Sequence, residues 1–232
     1  MISVLVKGRI IKMIVSISGF IGVGKFSLAH KLSQHYKNSI LIDDLNNSND
    51  IFEIFLNWFY NKKENINLGF QAYIIEETTQ KFNNAFLKFQ KSNLSSQGNY
   101  IFSNRFNLEH YIFALISMKD KPPKYLRAFD KMFVNMVYPK HNPQLAIFID
   151  VNYEMFENYI FSNPGSIESQ FYTDNIEYFK ELHALYRDLY TNLMQRWNIP
   201  FAIIDANNKN EYEILGEAIK IIDNFNFNWV TE

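Results

Sequence analysis

The sequence predicts an α/β fold, a doubly wound sheet of five parallel strands with helices on both faces. Three observations predict it. Five short apolar runs alternate with longer stretches of helical period along the 232 residues. The runs are largely continuous rather than alternating in polarity, as expected of parallel strands covered on both sides. Each run ends in a polar residue (Ser18, Asp43, Ser103, Asp150 and Asp205), and ligands of such sheets gather beyond the carboxyl ends of the strands.

The first run, 13–18, passes through a glycine-rich turn into a helical pattern over 27–36 carried by Leu28, Ala29 and Leu32. The second run, 39–42, is followed by helical stretches over 50–60 and 68–90. The third, 100–102, precedes helices over 108–118 and 123–138, and the fourth, 145–149, precedes helices over 153–161 and 173–197. The fifth, 201–204, leads into a last helix over 210–224. Asp174 and Asn210 stand near helix starts as N-caps. Pro122-Pro123, Pro143 and Pro164-Gly165 mark loops. No repeat interrupts the pattern, so 13–232 reads as one domain. Residues 1–12 read as a leader or a non-native start. Their apolar stretch is too short for a signal peptide, no small-residue cleavage site follows, and a second methionine, Met13, opens the first strand.

The turn after the first strand is the most informative segment. Gly19-Phe20-Ile21-Gly22-Val23-Gly24-Lys25-Phe26-Ser27 follows the pattern G-x-x-x-x-G-K-[ST], between a strand and a helix, up to its last position. This makes the fold a P-loop NTPase-type sheet. Gly19, Gly22 and Gly24 let backbone N–H groups crowd an anionic oxygen, and Lys25 reaches the terminal phosphates. The next residue should carry a hydroxyl that ligates Mg²⁺, but it is Phe26. Ser27 is a candidate replacement, although one helix position turns it by about 100°.

Composition sets bounds on function. The net charge is −1 and the pI about 6.5, which argues against a general nucleic-acid binder. There is no cysteine, which excludes disulfides and thiolate metal sites and fits a cytoplasmic protein. No apolar run approaches the roughly 20 residues needed to span a bilayer. Arginine is confined to Arg9, Arg105, Arg127, Arg187 and Arg196, few for a protein that clamps phosphoryl groups.

Several spaced features beyond the loop resemble the deoxynucleoside kinase family, in particular its bacterial deoxyadenosine/deoxyguanosine kinase branch. The resemblance runs from Met13 to the C-terminus and implies a short lid after the fourth strand. The family's general base follows the second strand; here Asp44, or Asp43, stands in that stretch, and a solvated strand end is an equal reading of the pair. A family tyrosine that meets the sugar corresponds to Tyr60. A glutamine that pairs with the base edge, eleven residues on, corresponds to Gln71 after Phe70. Where the family often has an arginine, Thr78 stands. After the third strand the family's Asp/Glu-Arg-Ser/Thr becomes Asn104-Arg105-Phe106, which keeps the arginine and loses the metal-holding acid. His110 occupies the place of an aspartate that reads the base, with an ordinary helix histidine as the favoured alternative. In the lid the three family arginines are Tyr159, Asn163 and Gly165, and only Glu168, which would meet the sugar 3′-hydroxyl, remains. Residues 202–206 resemble the family's fifth strand and its following turn.

The resemblance implies ATP and Mg²⁺ if the chain is active and neither if it is not. Phosphoryl transfer rests on positioning and charge stabilisation, and three such elements are altered together. The expectation is therefore a degenerate deoxynucleoside kinase homologue, catalytically weak or inactive, serving as a nucleoside/nucleotide-binding or structural/regulatory subunit. The alternative is an active kinase transferring the ATP γ-phosphate to a nucleoside 5′-hydroxyl. Expected partners are a nucleoside or nucleotide and a second copy or a different subunit, with no nucleic acid and no membrane span.

Overall fold

The computed structural model describes residues 13–42, 50–92 and 98–227. Five strands form one sheet: β1 (Ile14–Gly19), β2 (Ile40–Leu41), β3 (Ile101–Asn104), β4 (Leu145–Asp150) and β5 (Phe201–Asp205). Their order is β2-β3-β1-β4-β5 and every pairing is parallel. The first strand in sequence is thus central. The register sets Ile17 beside Asn104 and Gly19 beside Ile149, so three strand ends meet there. Such a switch point, where connections leave in opposite directions, opens the crevice that binds ligands in parallel sheets.

The two faces of the sheet bury different partners. Val15, Ile17, Phe102, Ile147 and Ile149 pack against α1 (Lys25–His35) and α9 (Glu211–Asn224). On the other face Ile14, Ile101 and Phe148 join α3 (Asn67–Lys91), α4 (Asn107–Met118) and α8 (Ile176–Arg196). There β1 presents Ser16 and Ser18, whose small side chains leave room for the buried aromatic rings of Tyr186 and Tyr190. The Phe148 and Tyr190 rings meet at 4.6 Å between centroids. α2 (Asp50–Tyr60) packs on α3, and α5 (Pro123–Met136) packs on α3 and α4. Among the described residues no helix is long and apolar enough to cross a membrane.

After β4 come α6 (Tyr153–Ser162) and a short helix not expected from the sequence, α7 (Ile167–Phe171). Ser166 caps α7 by accepting from the Ser169 N–H, and the Ser169 hydroxyl ties the corner to the carbonyls of Ile160 and Asn163. Together they form the lid. The Asn210 cap is present as a full capping box with Glu213. The Asp174 cap is not. Asp174 lies in a 3₁₀ turn and α8 starts at Ile176 behind Asn175, whose side-chain amide is turned to the carbonyls of Tyr60 and Phe171. Residues 1–12 and the acidic pair Asp43 and Asp44 lie outside the described residues.

Candidate active site

The phosphate loop is built by its glycines. Gly19 ends β1 at φ 138°, where an added Cβ would sit 2.6 Å from the Ile149 carbonyl oxygen. Only glycine lets the chain turn that close to β4. Gly24, at φ 74°, is the N-cap of α1 and offers no capping side chain, the arrangement of helix starts that receive anions. Lys25 is buried and its ammonium donates to the Phe20 carbonyl. Phe26 holds the position of the expected hydroxyl and stacks on His30, 6.5 Å between centroids. The Tyr159 ring from α6 lies directly on Gly22, close enough that an added Cβ would fall 2.2 Å from it.

Two cavities flank the loop, and Gly22, Gly24 and Ser27 line both. The larger, about 290 Å³, collects Lys25, Tyr60, Gln71, Arg105, His110 and Glu168, all residues singled out in the sequence. Its walls are aromatic, with Phe59, Phe70, Phe113 and Tyr178 among them. The smaller, about 250 Å³, is lined by Lys31, Val151, Lys209, Glu211 and Ile214. Of the remaining candidates, Gly19 stands just outside, its carbonyl accepting from the Arg105 guanidinium at 3.3 Å.

Arg105 is held from several sides. Its backbone takes φ 67°, uncommon for a residue other than glycine, and its N–H donates to the Ile17 carbonyl. The guanidinium lies over the Phe113 ring at 4.9 Å, and Nε is 3.8 Å from a carboxylate oxygen of Glu109. Sequence reasoning passed over Glu109, which the structure buries beside Arg105. It is fully buried and accepts from the Ser18 hydroxyl at 2.7 Å and the Tyr186 hydroxyl at 2.9 Å. Burial pushes its carboxyl pKa up, opposed by the charge of Arg105, the Ser18 bond and the charge of Lys25. The available signal was the four-residue spacing of Arg105 and Glu109 across the start of α4.

Three of the nucleoside-side candidates, Tyr60, Gln71 and His110, are buried and neutral, and Glu168 is half-buried. Burial, and then the charge of Glu168, raises the Tyr60 phenol well above its ordinary pKa, so it stays protonated. Gln71 is buried, and its Oε1 has no hydrogen-bond partner. His110 is buried with Nε2 3.3 Å from the Thr78 hydroxyl. Burial, and then the neighbouring Arg105 charge, lowers its pKa from 6.5 to about 3. The folded state therefore holds His110 neutral while the unfolded chain takes up a proton below 6.5. His110's contribution is fully present above pH 6.5 and is lost as the pH falls toward 3, at about 1.4 kcal/mol per unit. Comparing unfolding midpoints at pH 7.5 and 5.0 checks this: the acid loss should be smaller in His110→Gln than in the wild type.

The sequence profile of the deoxynucleoside kinase family matches residues 15–225. The chain belongs to that family. Deoxyadenosine kinase from M. mycoides, solved with dCMP and a flexible dCDP, shares the fold at a TM-score of 0.68. That match has 18% identity and covers 92% of this chain and 100% of that one. Its dATP-bound structure matches at 0.68 with 19% identity over 90% of this chain and 99% of the other. Two uncharacterized proteins are also similar. One, from Mycoplasma pneumoniae, is 24% identical and covers 93% of this chain and 91% of its own. The other, from Mycoplasma genitalium, is 25% identical over 82% and 81%.

A deoxynucleoside kinase that is active uses ATP and Mg²⁺, and the residues here suit the two unequally. The uncapped start of α1, Lys25 and the second cavity fit a nucleoside triphosphate. Among the described residues no group of three or more His, Asp or Glu side chains could hold a metal ion. Phe26 has no oxygen to offer, Asn104 carries a neutral amide, and the Glu109 carboxylate is committed to Ser18 and Tyr186. Phe26 and Asn104, where the family pattern places the hydroxyl and the acid that hold Mg²⁺, supply neither.

Proposed function

We propose that this chain binds a deoxynucleoside in the larger cavity and transfers phosphate to it weakly or not at all. It then serves as a nucleoside- or nucleotide-binding regulatory or structural subunit, in a homo- or hetero-oligomer. The observation that supports this is the lining of one cavity, where Tyr60, Gln71, Arg105 and Glu168 meet Phe26, Asn104 and Tyr159. The first four keep residue types that suit a nucleoside, while the last three replace a hydroxyl, an acid and a guanidinium of the family pattern. In this reading Tyr60 and Glu168 meet the sugar, Gln71 and His110 meet the base, and Arg105 meets the reacting end. Asp44 remains the candidate for taking the 5′-hydroxyl proton. ATP, when bound, supplies the γ-phosphoryl group, and Gly22, Gly24, Lys25 and Ser27 are the residues that would hold its phosphates. Gly19 shapes the turn.

The orphaned Gln71 oxygen offers a sharp test. A buried acceptor without a partner costs roughly 1–3 kcal/mol, so its removal should help the ligand-free fold. Gln71→Leu is expected to raise the unfolding midpoint without ligand and to abolish the shift caused by nucleosides. In the wild type, a deoxynucleoside at a hundred times its Kd should raise the midpoint by about 5–10 °C. No shift with any of the four deoxynucleosides would overturn the proposal.

Lys25 and the uncapped helix start favour a second reading, an active kinase acting on the nucleoside 5′-hydroxyl. Its mark is a rate, taken up in the Discussion.

A further inference from the structure

We propose that the Thr78–His110 pair is a base reader of reversible polarity. The cavity would then accept, with comparable affinity, the deoxynucleosides with an amino group at purine C6 or pyrimidine C4 (deoxyadenosine, deoxycytidine; here amino-bearing) and those with a keto group there (deoxyguanosine, thymidine; keto-bearing). The proposal rests on the nucleoside-binding reading above.

The pair is assembled from α3 and α4, 32 residues apart in sequence, and both side chains are buried. His110 lines the cavity, and its Nε2 is engaged by Thr78, which leaves Nδ1 as the ring nitrogen for a ligand. Either partner of that hydrogen bond can donate. If the Thr78 hydroxyl donates, Nε2 accepts, the ring proton sits on Nδ1, and the cavity is offered a donor. If Nε2–H donates, Nδ1 carries a lone pair and the cavity is offered an acceptor. The Thr78 hydroxyl can then donate to the carbonyl one turn earlier, an option open to any helical threonine. Both arrangements are uncharged. Among the described residues no carboxylate hydrogen-bonds the ring to fix one of them, and the charge of Arg105 disfavours the imidazolium in either case.

The rest of the base end is equally indifferent to polarity. The Gln71 amide carries a donor pair and an unpartnered acceptor on one group. Phe70 and Phe113 line the cavity with aromatic rings, Phe113 beneath the Arg105 guanidinium, and ring contacts with a base carry no polarity of their own. A carboxylate at position 110 could only accept and a guanidinium only donate. Leaving one buried polar group of the ligand or the site unpaired then costs a factor of roughly 10 to 100 in affinity.

Calorimetric titration with deoxyadenosine, deoxycytidine, deoxyguanosine and thymidine tests this in the full chain. The four wild-type dissociation constants should agree within about tenfold. His110→Asp fixes an acceptor at that position. Thr78→Val removes the hydroxyl without changing the side-chain shape, and the buried Nε2 then prefers its bare lone pair, which fixes a donor on Nδ1. The two variants should each separate the amino-bearing from the keto-bearing nucleosides by at least about tenfold, in opposite directions. A wild type that already separates the classes by about a hundredfold, or variants that both keep the wild-type profile, would overturn the proposal. So would separation in the same direction by both variants. If no nucleoside binds the wild type, it is the nucleoside reading beneath it that fails. Thr78→Val carries the test if His110→Asp does not fold.

Discussion

Phe26→Ser, Asn104→Asp and Tyr159→Arg, made together, should raise the rate of phosphoryl transfer by about 10³-fold or more over the wild type. Each change returns one element that handles charge at the phosphate end. Serine restores an oxygen beside Lys25, where a phenyl ring now stacks on His30. Aspartate places an anion at the end of β3, one strand from the loop. Arginine at 159 removes the ring that lies on Gly22 and puts a guanidinium on the same helix. An arginine acting on a transferring phosphoryl group is alone worth roughly 10³–10⁵ in rate, but only when the remaining machinery is in place. The single variants should therefore gain less than about tenfold, because residues that act as a unit are not additive. Coupled assays of the three singles and the triple check both halves of this expectation.

Glu109→Ala should destabilise the fold by about 3–5 kcal/mol, the range for breaking a buried charge pair by removing one partner. The carboxylate is the acceptor for Ser18 on β1 and Tyr186 on α8, and it faces the Arg105 guanidinium. It therefore joins three elements at the floor of the site. For a chain of this size the loss corresponds to roughly 10 °C or more in the unfolding midpoint. Glu109→Gln keeps the volume and one acceptor, so it should lose less stability but still weaken the setting of Arg105. Urea unfolding of the two variants, with an unchanged slope, checks that native stability itself has moved.

What was legible in the sequence follows from what is local. The five strands were readable because each is a short apolar run that ends in a polar residue. The loop was readable because its glycines and lysine have fixed spacing and sit between a strand and a helix. The Asn210 cap was readable for the same reason: a capping box spans only four positions. The convergence of Tyr60, Gln71, Arg105 and Glu168 on one cavity came from the family resemblance, since they lie on different elements. Three features were hidden. Glu109 looks like an ordinary first-turn acid until β1 and α8 are laid beside it. The Thr78–His110 hydrogen bond joins positions that read separately in the sequence, and only packing brings them together. The helix Ile167–Phe171 is too short and too polar to carry a period, and Pro164-Gly165 just before it reads as a loop. Asp174 failed as a cap because the neighbouring Asn175 was drawn to the carbonyls of Tyr60 and Phe171.

Phe26, Asn104 and the lid residue Tyr159 line one cavity with Lys25. The glycines and Lys25 keep the geometry of a phosphate loop, while these three stand where the family pattern carries a hydroxyl, an acid and a guanidinium. The most direct measurement is single-turnover transfer of the γ-phosphoryl from ATP to each of the four deoxynucleosides. It should be made with Mg²⁺, on wild-type protein already shown to bind the nucleoside. The rate expected is below about 10⁻² s⁻¹, against roughly 1–100 s⁻¹ for ordinary kinases. A wild-type rate of about 1 s⁻¹ or faster with any of the four would contradict it.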